Sequence, residues 1–142
     1  MIIKFKKLDP NAVVPTLAHA DDAGYDLVAT SKILCDPPDI LEYGTGLAIE
    51  IPSGFVGLIM QRSSVYKHCL TLVNAVGVID SGFTGEIKLK FKTIYGTERF
   101  DYKKGDKIGQ LLIMPLARVT FSETDELKQS SRGTGGYGST GA

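Results

Sequence analysis

The sequence predicts a single all-β domain: a sandwich, a barrel or a jelly roll. Three observations carry that expectation. Short apolar runs with two-residue alternation recur along the chain. Turn clusters of Asp, Pro, Ser and Gly separate them. No long apolar stripe with a 3.6-residue period is present. The 142 residues make one domain's worth of chain, enough to bury about two-thirds of the surface exposed on unfolding.

The elements follow in order. Ile2 to Leu8 reads as the first strand. Ala23-Gly24-Tyr25-Asp26-Leu27 puts a carboxylate inside an apolar strand, so Asp26 belongs at a sheet edge or beside a cation. Gly46 to Ile51 and Phe55 to Gln61 come next, and Arg62 to His68 is the only stretch with room for a helical turn or two. Glu86 to Lys92 alternates strictly, with Ile87, Leu89 and Phe91 on one face and Lys88, Lys90 and Lys92 on the other, a row that reads as a solvated face. Gln110 to Val119 is the last strand. The turns between these runs are Asp36-Pro37-Pro38, Pro52-Ser53-Gly54, Asp80-Ser81-Gly82 and Lys104-Gly105-Asp106. From about Glu123 the chain turns polar and then glycine-rich, with five of its 16 glycines in the last ten residues.

Several function classes are excluded by composition. Sixteen Lys+Arg balance 16 Asp+Glu, with a pI near 6.7, which argues against coating nucleic acid or an anionic membrane through bulk charge. The longest apolar stretch, Leu111 to Ala117, contains Pro115 and is too short to span a bilayer. No apolar leader follows Met1, so the expectation is a soluble cytoplasmic protein. Cys35 and Cys69 lack C-x-x-C spacing and read as reduced thiols. His19 and His68 share no metal-ligand spacing, which argues against zinc.

Four segments could carry chemistry, each beside a plainer reading. Gly133-Thr-Gly-Gly-Tyr-Gly138 fits G-x-G-x-x-G, but a dinucleotide fingerprint needs a following helix, and only four residues remain. The tail is then either a disordered terminus or an anion-wrapping loop with Arg132, Ser139 and Thr140 as phosphate partners. Tyr137, alone among glycines, has nothing local to pack against. Asp80 is either a turn residue or a carboxylate fixed to deprotonate a water. Arg62-Ser63-Ser64 is either an ordinary helix cap or a phosphate contact.

No single segment is specific, but their order is. Ala-Gly-Tyr-Asp-Leu, Arg-Ser-Ser, Asn-Ala-Val-Gly-Val-Ile-Asp-Ser-Gly-Phe-Thr-Gly-Glu-Ile, Gly-Asp-Lys-Ile-Gly-Gln-Leu and Arg-Gly-Thr-Gly-Gly-Tyr-Gly-Ser-Thr-Gly run from Ala23 to Gly141. The series closely resembles the five motifs of the homotrimeric dUTPases. That resemblance implies a distorted jelly roll over residues 1–122, a C-terminal arm over 123–142, and three active sites shared between subunits. It also implies hydrolysis of dUTP to dUMP and pyrophosphate.

By the resemblance, Asp80 activates the attacking water, and Asp26 holds Mg²⁺ through its water shell while the triphosphate supplies direct ligands. Asn74, Gly77, Val78, Ile79 and the hairpin up to Lys88 form the uracil pocket. Arg62, Ser63, Ser64, Gln110, Arg132, Gly136, Ser139 and Thr140 contact phosphates, Tyr137 stacks on uracil, and Phe83 packs on deoxyribose. Ser64 stands where the family usually has glycine, Phe83 where it has tyrosine, and Tyr137 where it has phenylalanine. Gly82 and Thr84 replace residues that are often charged. Two alternatives share this fold: a dCTP deaminase, and a non-catalytic nucleotide-binding regulatory trimer. A deaminase carries its glutamate in a Leu-Glu-Phe context, and this chain has Leu89-Lys90-Phe91. A pure regulator needs no water-activating carboxylate, although a further protein partner stays open.

Overall fold

One long strand organises the first of two antiparallel sheets in the computed structural model, which describes residues 1–36, 39–94 and 101–136. This strand, β4 (Ile40–Glu50), pairs along one side with β8 (Glu86–Thr93). Its other side takes β3 (Ser31–Leu34) and β1 (Lys4–Lys7), laid end to end. β6 (Leu70–Leu72) extends the sheet beyond β8. The two halves of β4 are joined by a kink. The register with β8 shifts between Gly44 and Ala48, Gly46 has φ +66°, and its N–H donates to Glu86 Oε1 at 2.8 Å. A side chain there would bring its Cβ to 2.7 Å from that of Asp9, so both the φ value and the space require glycine.

The second sheet runs β2 (Tyr25–Val28), β9 (Lys107–Pro115), β5 (Phe55–Met60) and β7 (Gly77–Ile79). Alternation sends Leu27, Ile59 and Leu111 inward, against Leu41, Tyr43, Ile87, Leu89 and Phe91 of the first sheet. Each such fully buried side chain stabilises the fold by about 1.5–3 kcal/mol. Gly109 makes the sheets' close approach possible: a Cβ there would overlap Leu89 and stand 3.0 Å from the Met60 carbonyl.

The architecture is the expected jelly-roll-like pair of sheets; β5 and β8 fall where periodicity puts them, whereas β4 begins at Ile40, six residues before the expected Gly46, and β9 at Lys107, three before the expected Gln110. Three short strands, β3, β6 and β7, escaped that reading, because three or four residues give alternation too little length to register. The helical stretch is a 3-10 helix, Ser63–His68. β9 ends at Pro115, short of Val119: proline has no N–H for a ladder, and the Leu116 N–H turns to the Gly54 carbonyl. The segment from Val78 to Lys88, expected as a hairpin, is a crossover. β7 pairs with β5 in the second sheet, whereas β8 pairs with β4 and β6 in the first. Among the described residues, no helix is long and apolar enough to cross a membrane.

The lysine row of β8 is exposed but not merely solvated. Lys88 Nζ lies 2.8 Å from Glu42 Oε1, and Lys90 Nζ 3.3 Å from Glu42 Oε2. The hydrogen bond from Lys88 holds the Glu42 carboxyl below its ordinary value against the opposing push of burial, and Lys90 adds to the effect. A carboxyl lowered by folding stabilises the fold above its unfolded pKa, and loses that contribution as pH falls through its folded pKa. We expect Glu42→Gln to lose about 0.5–1 kcal/mol at pH 7. In urea unfolding across pH, the wild-type advantage should shrink between about pH 5 and pH 3; a loss that is constant with pH would assign the effect to packing instead.

Candidate active site

The outer face of the second sheet carries the first group of candidates. The pairs Asp26↔Gln110 and Gln110↔Met60 set these three side chains in one row. Asp26 is only 3% exposed. It is both at the edge strand β2 and beside cations, with Lys107 Nζ 2.7 Å from Oδ2 and Arg62 Nε 3.4 Å from Oδ1. Oδ1 is buried and accepts no hydrogen bond. Lys107 was not singled out from the sequence, since a lysine directly after a Gly-Asp turn looks like any exposed lysine.

Arg62 leaves β5 in an extended conformation and is itself the cap of the 3-10 helix, with no side chain capping it, so the serines do not act as caps. Ser63 is exposed and Ser64 half-buried. Behind the helix, His68 stacks on Tyr102 with ring centroids 3.9 Å apart. Burial pushes the Tyr102 phenol up, while the nearby Arg62 guanidinium draws it down.

The second group surrounds β7. Gln61, next to Arg62, accepts the Leu72 N–H at 2.9 Å and ties the end of β5 to β6, from which the chain turns through Asn74. That turn is strained: Ala75 adopts φ +56°, a left-handed conformation costing about 1–2 kcal/mol for a residue with a Cβ. Gly77 lies against Ile59, Val78 points outward, and Ile79 packs on the core. Asp80 follows, exposed, with its carbonyl accepting the Phe83 N–H at 3.0 Å. The Phe83 ring folds over Gly85, where an added Cβ would come within 2.7 Å of it.

The Asn74 end of the second group lies beside Arg62, but the Asp80 end does not meet it within one chain. Gly57 pairs with Ile79 in antiparallel register, so Arg62 lies five residues along from the Asp80 end of β7. Five extended residues span about 16 Å. Lys88 belongs to the first sheet and is engaged with Glu42. Arg132 is exposed and donates to the Gly135 carbonyl of its own loop, and Gly136 is exposed with open space around it. Tyr137, Ser139 and Thr140 lie outside the described residues. A cleft of about 620 Å³ opens between the sheets beside Phe5, Tyr25, Ile49 and Leu111, and none of these candidates lines it. No cluster of three or more His, Cys, Asp or Glu side chains suited to a metal occurs among the described residues.

The dUTPase family model matches residues 10–141. A deoxyuridine 5'-triphosphate nucleotidohydrolase of Rhodococcus erythropolis is 42% identical over 140 residues, covering 98% of this chain and 85% of that one. Its counterpart in Clostridium kluyveri is 39% identical, covering 99% of both. Among solved structures, the dUTPase of Staphylococcus bacteriophage 80alpha with dUpNHpp superposes with a TM-score of 0.83 at 29% identity over 99% of each chain. A dUTPase variant of S. aureus phage phi11, described with a structural Mg(II) ion, gives 0.76 at 25% identity over 89% of this chain and 98% of that one. This chain belongs to the dUTPase family.

Proposed function

We propose that the protein hydrolyses dUTP to dUMP and pyrophosphate as a homotrimer, with Mg²⁺ and a C-terminal arm over residues 123–142 that closes on a body of residues 1–122. The observation that carries the reading is the split of the candidate chemistry. Arg62, Gln110 and Asp26 form a phosphate-facing group at one end of an outer sheet face, with the Asn74 end of β7 beside it, while Asp80 and Phe83 lie past the other end of β7. A site that needs both groups close together is completed by a neighbouring copy. The surface between them supports this: Val56, Leu58, Met60, Val78, Leu112 and Met114 share the outer face, with Val78 61% exposed. An apolar sheet face of this kind marks an interface.

In this site Asp80 orients a water and takes its proton as the water oxygen bonds to the α-phosphorus. The bond from that phosphorus to the bridging oxygen breaks, and pyrophosphate leaves. Arg62 and Arg132 balance the phosphate charge, with Gln110, Ser63, Ser64, Ser139 and Thr140 donating to its oxygens. Asn74 and the Gly77–Ile79 backbone read the uracil edge, Phe83 closes the space a 2′-hydroxyl would need, and Tyr137 covers the base. Lys88 lies further along the same segment. The residues would suit Mg²⁺ held through water: Asp26 Oδ1 accepts no hydrogen bond, with Arg62 Nε standing 3.4 Å from it, and magnesium retains its waters and takes phosphate oxygens. When bound with the nucleotide, the ion neutralises part of the triphosphate charge. The setting is cytoplasmic, in keeping with free Cys35 and Cys69.

The arm reading rests on what the tail fails to do within its own chain. Leu127 in the arm is 84% exposed, and Val119 and Phe121 at the end of the body leading into it are exposed as well, so these apolar side chains pack on nothing of their own. A partner and a ligand give it something to order against.

Three measurements test this reading. Pyrophosphate release from dUTP should exceed that from dCTP by several orders of magnitude, because a mismatched base leaves buried polar groups unpaired, and that from UTP, because Phe83 excludes a 2′-hydroxyl; comparable rates would remove the pocket assignment. Asp80→Asn should lower kcat roughly 10²–10⁴-fold with little change in analogue affinity, and near-normal turnover would reduce Asp80 to a turn residue. Truncation after Lys128 should leave a folded trimer by sedimentation while abolishing most turnover. Full activity in the truncated protein would refute the arm.

A further inference from the structure

We propose that Lys107 is a positioning residue that keeps Arg62 available to the triphosphate by occupying the other side of Asp26; this rests on the reading of Arg62 as a phosphate contact. The register of β2 with β9 runs Asp26↔Gln110, Leu27↔Gly109 and then Val28↔Lys107, so Ile108 is an extra residue without a partner. Strict alternation back from the outward-facing Gln110 sends Ile108 outward and Lys107 into the core. The one-residue bulge reverses both. Ile108 is fully buried in the core, and Lys107 emerges on the outer face with Nζ 2.7 Å from Asp26 Oδ2.

The chemical consequence lies in how Arg62 meets the carboxylate. An arginine beside a free carboxylate forms a two-pronged pair and spends its charge there. Here Lys107 holds Oδ2, and Arg62 reaches only Oδ1, through Nε, at 3.4 Å. Among the described residues, no hydrogen bond engages the terminal amino groups of Arg62. One carboxylate between two cations leaves a net positive charge on this face, suited to an anionic ligand. A buried carboxylate that lost Lys107 would draw Arg62 in to replace it.

The test measures affinity of the full-length protein for dUpNHpp with Mg²⁺ by calorimetry, with thermal unfolding confirming that each variant is folded. Lys107→Met and Lys107→Gln should each weaken binding about tenfold, the loss of one charged hydrogen-bond contact, while Lys107→Arg restores it. On an Arg62→Ala background, Lys107→Met should add less than about twofold, because its effect passes through Arg62. Two results overturn the inference alone: wild-type affinity in Lys107→Met while Arg62→Ala is impaired, or an equal loss on both backgrounds. Wild-type affinity in Arg62→Ala removes the phosphate assignment itself, and the inference with it. If Lys107→Met does not fold, the Gln and Arg variants decide between the same outcomes.

Discussion

A carboxylate sealed inside a protein must be balanced by positive charge, and the balance at Asp26 draws together three separate stretches of chain. Asp26 comes from the edge strand β2, Arg62 from the exit of β5, and Lys107 from the start of β9. β9 lies between β2 and β5, so the backbone ladder that holds the second sheet also sets the spacing of these charges. The bulge at Ile108 serves both sides of the sheet at once. Inward it adds Ile108 to the core, and outward it delivers an ammonium to a carboxylate that would otherwise be costly to bury.

The same sheet explains why the chain looks unfinished alone. Its inner face is fully used, whereas its outer face mixes an apolar stripe with the residues suited to phosphate. The cleft beside Phe5 and Tyr25 lies elsewhere, between the sheet edges, and holds none of that chemistry. On the proposed reading, concavity, water exclusion and the approach of Asp80 to the phosphate-facing group are properties of an assembly. The exposed Phe121 and Leu127 extend the pattern into the tail, which has side chains to bury and no surface of its own to bury them on.

Strain and close approach sit beside these groups. Ala75 in a left-handed conformation turns the chain at Asn74, held from behind by Gln61. Gly85 leaves room for the Phe83 ring to fold back. Both features fix how side chains next to the candidate base site are presented, and neither adds to the core. Such backbone cost concentrates where a geometry is required for function.

Much was determined by the sequence alone. Strict alternation in Glu86–Lys92 predicts β8 because side-chain direction in a strand depends only on residue parity. The ordered motifs from Ala23 to Gly141 point to the family and its candidate residues, since chemistry-bearing residue types at characteristic local spacings survive without knowledge of the fold. The reading of Asp26 as an edge residue or a cation's neighbour was similarly local, and both halves hold. Only the tertiary structure could name the cations, because Lys107 reaches Asp26 through a bulge that breaks parity across a pairing 81 residues apart in sequence. Only it could turn the Val78–Lys88 hairpin into a crossover, because turn chemistry at Asp80-Ser81-Gly82 says that the chain reverses but not which sheet receives it. Partner choice among strands is settled by burial on both faces at once, a condition that no local pattern contains.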